Sequence, residues 1–243
     1  MFLKENHPNL HPVLIDITRE DSVQEAGSFI ASDLTKSGLN GLFGLVNNAG
    51  VLNVKPLEFE NKDSLTHIFN VNVLGHILVT NQFLPLLRNR RGRIVNTISI
   101  AGRMGSPFLG SYTATKHAME AVTDIYRQEL ARFGVFVSGV EPGIIKTDMT
   151  LSSGTTLRRH TSESSSELQE LYRRAIKEAK LFTKLSQYTP FKAPDVANRM
   201  IHALTSATPK YRYVVGYDAH ILAVLHMICP RFIQDLLVNS GLT

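Results

Sequence analysis

Tyr112 and Lys116 stand four residues apart in the run SYTATK, which extends from Ser111 to Lys116. On a helix that spacing puts both side chains on one face, with the ammonium one turn beyond the phenol. A free phenol has a pKa near ~10 and is a poor base at neutral pH. A neighbouring cation favours the phenolate, so the pair is a candidate acid/base. Taken alone the pattern is weak, because its commonest meaning is an exposed tyrosine beside a solvated lysine.

The frame around these two residues reads as alternating short apolar runs and longer helix-period segments, the pattern of parallel strands joined by crossover helices. Val13–Ile17, Leu42–Val46, Arg93–Ile98, Val135–Val140 and Tyr211–Val215 read as strands. A capping pair, Thr18 and Asp21, opens the first helix. A long helix is expected over 62–89, with Pro85 near its far end, and another over 111–133, ended by Gly134. The Ser/Thr-rich stretch 150–166 reads as a flexible loop whose end, at Ser164 and Glu167, caps a further helix. Loop and helix together, about 150–186, would cover a substrate site as a lid. Pro194 opens a later helix, and an amphipathic segment over about 219–240 closes the chain. No repeat or linker divides it, so one domain over 1–243 is expected.

Composition bounds the function. At 243 residues with 43% hydrophobic content, the chain can build a sizeable α/β core. The single cysteine, Cys229, excludes an intramolecular disulfide framework and reads as packing. The net charge of +5 is not arranged as a basic stripe interleaved with aromatics. Its densest cluster, Arg88, Arg90, Arg91 and Arg93, suits a helix end followed by a turn at Gly92, so nucleic acid is not an expected partner. His67, His76, His117 and His160 form no metal-ligand pattern and read as surface or satisfied core residues. The start, MFLKENHPNLHP, is no signal peptide. The apolar stretch Ile221–Val238 is interrupted by His226, Pro230 and Arg231, too broken for a spanning helix. It suits either a membrane surface or a helix pair covering the core.

Sheets of this kind place ligands beyond the carboxyl ends of their strands. The remaining motifs fall there: NNAG at 47–50 after LFGLV, Ser99 after RIVNTI, and Pro142-Gly143 after VFVSGV. Singly these are a turn, a strand-end serine and a bend. Together with Asn72 in NVNVLG, Tyr112 and Lys116 in YTATK, and Thr147 in EPGIIKT, they resemble the short-chain dehydrogenase/reductase family of nicotinamide-dependent oxidoreductases. Ser99 precedes Tyr112 by thirteen residues, the family's spacing. The resemblance runs from about Val13 to the C-terminus. The segments RQELARFGVFVSGVEPGIIKTDM and YRYVVGYDAHILAVLHMICPRFIQDLL are most similar to the branch acting on retinol and hydroxysteroids, whose members are often bound to the endoplasmic reticulum.

The resemblance implies a Rossmann-like parallel sheet with helices on both faces and a cofactor, NAD or NADP. It implies a small lipophilic alcohol or carbonyl substrate, a homo-oligomer formed through the helices 62–89 and 111–133, and a cytoplasmic or reticulum-membrane location. Oxidising an alcohol needs hydride departure and proton removal from oxygen. Tyr112 is the expected acid/base, Ser99 the group bonding the substrate oxygen, and Lys116 the cation that lowers the tyrosine's pKa and holds the nicotinamide ribose. Asn72 would hold a relay water. Asn48, Ala49, Gly50, Pro142, Gly143 and Thr147 would hold the cofactor, with Thr147 on the carboxamide, and Asp16 would contact adenine. No metal is implied.

One part of the family pattern is missing. Nothing before Asn47 has the T-G-x-x-x-G-x-G turn that cradles pyrophosphate. Aligned on VLIDIT, the family's first two strands are absent, and in the order 3-2-1-4-5-6 they would lie between VLIDI and LFGLV. Unpaired buried peptide groups cost about 1–3 kcal/mol each, against a net domain stability of about 5–15 kcal/mol. Weak folding or a partial gene product is therefore the expectation, with two other readings beside the enzyme: an inert interaction or regulatory fragment, and a peripheral membrane protein docking through the C-terminal segment.

Overall fold

The computed structural model describes residues 10–240; the start read as lacking a signal lies largely outside the described residues. Four parallel strands, β1 (Gly44–Asn47), β2 (Arg93–Thr97), β3 (Phe136–Pro142) and β4 (Arg212–Val215), pair in chain order. Gly44 faces Arg93, Arg93 faces Phe136 and Gly139 faces Arg212. Parallel neighbours require crossovers, and helices supply them. α1 (Glu20–Lys36) precedes β1; α2 (Lys62–Phe69) and α3 (Gly75–Arg90) lead to β2; α4 (Gly110–Leu130) leads to β3. Four more lie between β3 and β4: α5 (Asp148–Glu163), α6 (Ser166–Leu171), α7 (Arg173–Ser186) and α8 (Ala193–Thr205). α9 (Tyr217–Ile228) and α10 (Arg231–Ser240) follow.

The pleat sends neighbouring residues to opposite faces, and each face is covered. Ile94 and Val137 pack with Val79, Phe83 and Leu87 of α3 and Leu130 of α4. Val95 and Val140 pack with Val196 and Ala203 of α8. Each such side chain contributes about 1.5–3 kcal/mol by leaving water. A buried polar relay crosses the first face: Asn47 Nδ2 donates to Thr80 Oγ1 and Asn96 Oδ1, each at 2.9 Å, and Asn96 Nδ2 donates to Thr123 Oγ1 at 2.9 Å. It ties both strand ends to α3 and α4.

Several expectations are corrected. Val13–Ile17 is not a strand; Leu14 is 98% exposed, while Ile15 and Ile17 pack against the core. A strand needs a ladder partner, and a groove of about 420 Å³ lies between Val13, Ile15 and Ile17 and the β1 residues Leu45 and Val46. Among the described residues β1 pairs only with β2, and Val46 is 37% exposed. The Thr18–Asp21 cap is also not formed: Thr18 bonds Asp16 through both its amide (2.9 Å) and hydroxyl (2.7 Å), and α1 begins at Glu20.

The stretch 150–166 is not a flexible loop; most of it is helix α5. Ser/Thr hydroxyls compete for backbone groups, but here they fold back onto the helix's own carbonyls. Ser153 donates to Thr150 O at 2.7 Å and Thr161 to Leu157 O at 2.8 Å. Leu157 is fully buried against Val54 and Ala179, which fixes the helix over the sheet ends. The cap of the next helix is Ser165, accepting from Leu168 N at 3.3 Å, rather than Ser164. The long helix 62–89 is interrupted by a π-turn, Asn70–Leu74. π-turns occur often at functional sites.

On the first face, beside α4, lies an ionic network. Arg103 grips Glu141 of β3 with Nη2 at 2.8 Å and Nε at 2.7 Å, and Arg212 of β4 bridges Glu141 (3.3 Å) and Glu120 of α4 (2.8 Å). Glu141 is fully buried. Removing one partner strands the other charges, at a cost of about 3–5 kcal/mol. Glu141→Ala is accordingly expected to lower unfolding free energy by that amount, read from the urea midpoint at unchanged m-value.

Candidate active site

β1, β2 and β3 end on the same side of the sheet, and their exits touch. Thr97 Oγ1 donates to Asn48 Oδ1 at 3.0 Å, and Ser99 Oγ donates to Pro142 O at 3.3 Å. Ser99 also caps the short turn Ile100–Gly102, accepting from Ala101 N at 3.2 Å. That turn lies so close to α4 that a Cβ on Gly102 would sit 2.9 Å from the carbonyl of Lys116. The glycine is what lets Ser99 approach the Tyr112–Lys116 helix.

Lys116 is 4% exposed and donates from Nζ to Thr97 O at 2.9 Å. The same Nζ is 5.5 Å from the centroid of the Tyr112 ring. The two heads thus share one side of the molecule, beside Ser99. Burial pushes the ammonium's pKa down to about 8. Tyr112 keeps part of its surface accessible, but the surrounding protein desolvates its hydroxyl. Burial pushes the phenol up, and the Ser99 hydroxyl only partly opposes it. In the chain by itself desolvation wins and the phenol stays protonated; the lowering was expected from Lys116 together with an oxidised nicotinamide.

Asn72 occupies the π-turn and is fully buried. Its Oδ1 accepts from Val51 N at 2.8 Å, and its Nδ2 donates to Val51 O (2.9 Å) and Thr115 Oγ1 (3.1 Å). It pins the chain after the NNAG turn to α4. Thr147 caps α5, accepting from Thr150 N at 3.4 Å. Asp16 is exposed and bonded to Thr18, which holds its carboxyl below the usual range.

His76 is a core histidine, as one of the two expected readings has it, and it also supports the site. It is 2% exposed; Nε2 donates to Ala49 O at 2.8 Å, while Nδ1 has no partner among the described residues. Burial, reinforced by the Lys116 charge, lowers its pKa to about 4, so it is neutral. It braces the NNAG turn from below. Its spacing of four from Asn72 on the same helical region was the signal available in the sequence. The Arg103–Glu141 contact carried no comparable signal, because it joins a turn to a strand 38 residues on.

A nicotinamide cofactor fits this site in part. Asn48, Pro142 and Lys116 are bonded to the β2 exit through Thr97 and Ser99, so they and the neighbouring Ala49, Gly50 and Gly143 could hold its nicotinamide side. On the pyrophosphate side, α1 follows an irregular segment, and among the described residues no glycine turn joins a strand to its start.

A parallel α/β sheet thus gathers a serine, a tyrosine and a buried lysine at its carboxyl edge. The sequence model described as short chain dehydrogenase matches residues 2–158, and the chain belongs to that family. It is 38% identical to retinol dehydrogenase 16 of Rattus norvegicus over 94% of its own length and 72% of the relative's. It is 35% identical to human 17-beta-hydroxysteroid dehydrogenase type 6, over 96% of itself and 74% of that protein. Among solved structures it resembles a short-chain dehydrogenase from Streptomyces avermitilis, with a TM-score of 0.74 at 23% identity, covering 98% of this chain and 81% of that one. A Burkholderia cenocepacia short chain dehydrogenase in complex with NADP superposes with a TM-score of 0.71 at 24% identity, covering 96% and 82%.

Proposed function

We propose that the chain interconverts a lipophilic alcohol of retinol or hydroxysteroid type and its carbonyl, with Tyr112 exchanging the proton. The observation that carries this reading is the buried ammonium of Lys116, held by Thr97 at 2.9 Å and 5.5 Å from the Tyr112 ring. The relatives named for retinol and hydroxysteroid oxidation support the substrate class. Bound NAD or NADP supplies the hydride acceptor or donor.

In this scheme Ser99 exchanges its bond to Pro142 O for one to the substrate oxygen. Tyr112, protonated in the chain by itself, gives its proton to a carbonyl; in the reverse sense the cations beside it would stabilise the phenolate that accepts the alcohol's proton. Lys116 and the residues 48–50, 142, 143 and 147 hold the cofactor, and Asn72 fixes the segment from which a water would relay protons. Incubation with a retinol or a hydroxysteroid and either oxidised cofactor tests the proposal. Carbonyl product detected by chromatography upholds it; none with any member of either class refutes it.

A second reading, an inert fragment that keeps the motifs but cannot hold dinucleotide, is favoured by the edge of β1 opposite β2, which no strand pairs among the described residues, and by the lack of a glycine turn at the start of α1. A fluorescence titration separates the two: saturable NADH or NADPH binding supports the enzyme, and none at millimolar cofactor supports the fragment. For partners, we propose contact with a lipid surface through α9 and α10. No helix among the described residues is long and apolar enough to cross a membrane, yet Tyr217, Ile221, Val224 and Ile228 recur along one exposed stripe of α9, with Phe232 and Leu236 exposed on α10. Flotation with phospholipid vesicles is the check: the protein is expected in the floating fraction, and Ile221→Asp with Phe232→Asp should keep it at the bottom.

A further inference from the structure

We infer that Asp218, in the first turn of α9, is a positioning residue for the nicotinamide-side loop; this rests on the reading of Pro142 and Gly143 as part of that loop. β3 and β4 run out together, Pro142 facing Val215, and Gly143 N extends the ladder by donating to Val215 O at 2.8 Å. The β4 chain then turns at Gly216, with φ +113°, and delivers Asp218 back over the loop. Its Oδ2 accepts from Ile144 N at 2.7 Å. The other backbone group of Ile144, its carbonyl, accepts from Thr189 Oγ1 at 2.8 Å.

The carboxylate also occupies the space that side chains at two glycines would need. A Cβ on Gly143 would lie 2.3 Å from Asp218 Oδ2, and one on Gly216 would lie 2.4 Å from Oδ1. The carboxylate's seat against the loop backbone explains Gly143, and at Gly216 it adds to the demand already made by φ +113°. Without that tether the amide of Ile144 loses its acceptor, and the peptide after Pro142 is free to rotate away from the strand exits where Ser99 and Lys116 meet. The loss then falls on cofactor binding, because this loop is read as holding the nicotinamide side and not the reacting atoms.

A bland role is available: an acid in the first helical turn favours the helix dipole and nothing more. The full chain, Asp218→Ala and Asp218→Asn distinguish the two. Asparagine keeps an acceptor for Ile144 N but no charge, so a dipole role loses as much in Asp218→Asn as in Asp218→Ala. The expected results are Ile144 amide exchange at least ~10-fold faster in Asp218→Ala, a cofactor KM raised ~10-fold with kcat within ~3-fold, and near-recovery of all three in Asp218→Asn. Unchanged Ile144 exchange in Asp218→Ala, or equal damage in both variants, overturns the inference. Absence of cofactor binding by the unmutated chain would overturn the reading of the loop instead, while faster Ile144 exchange in Asp218→Ala would still uphold the tether.

Discussion

Tyr112→Phe is expected to lower kcat/KM for alcohol oxidation by about 10²–10⁴-fold, the usual contribution of a positioned acid/base. The substitution removes one oxygen from a side chain whose ring lies over the Lys116 head, so packing is conserved and folding stability should change by less than ~1 kcal/mol. Cofactor affinity should hold within a few-fold, because the loss falls on the proton and not on binding. Steady-state kinetics beside a cofactor titration on the same preparation check both halves. Turnover retained at the level of the unmutated chain would remove Tyr112 from the chemistry.

The second large effect concerns Lys116, and there activity and stability separate. Lys116→Met is expected to lower kcat/KM by about 10²–10³-fold, the scale for losing one preorganised charge at a reacting centre. Its folded pKa is depressed from 10.5 to about 8, so folding disfavours the charged form. The unfolded chain then binds more protons between those values, and stability rises with pH from about 8 to 10.5. At ~1.4 kcal/mol per unit, removing the buried charge relieves roughly 3 kcal/mol. Orphaning the Thr97 carbonyl costs about 1–3 kcal/mol. The two nearly offset, so Lys116→Met should match the unmutated chain within ~1 kcal/mol at neutral pH but lack the alkaline rise. In activity the sign is opposite: oxidation by the unmutated chain should fall as pH climbs through about 8, when the ammonium is lost. Lys116→Arg keeps a charge across that range and should abolish the fall, at lower absolute rate because the longer fork misses Thr97.

How much of this was readable in the residues differs by element. The strands β1 to β4 were, because buried parallel strands write themselves as short apolar runs. So were Tyr112 and Lys116, since helical spacing alone puts them on one face. Val13–Ile17 has the same apolar signature and is not a strand, because a ladder depends on what lies beside it. Helix α5 was hidden for the reverse reason: seven Ser/Thr residues within 150–162 look like a loop, and only the buried Leu157 and the hydroxyls' local bonds make them a helix. The contacts of His76 with Ala49, Arg103 with Glu141 and Asp218 with Ile144 join residues 27, 38 and 74 positions apart. Nothing in local periodicity encodes such pairs. The direction of the Tyr112 shift was likewise out of reach, because it is a contest between a neighbour's charge and desolvation, and only packing decides it.

The central claim is that a hydride leaves a lipophilic alcohol for a nicotinamide while Tyr112 takes the proton, and isotope transfer tests it most directly. The chain is incubated with an alcohol of the retinol or hydroxysteroid type carrying deuterium on the carbinol carbon, with saturating oxidised cofactor, and the cofactor is recovered for mass spectrometry. The account predicts deuterium on the nicotinamide ring in step with carbonyl formation, and none from the Tyr112→Phe chain over the same interval. Unlabelled cofactor from the unmutated chain, or equal labelling by both chains, would contradict it.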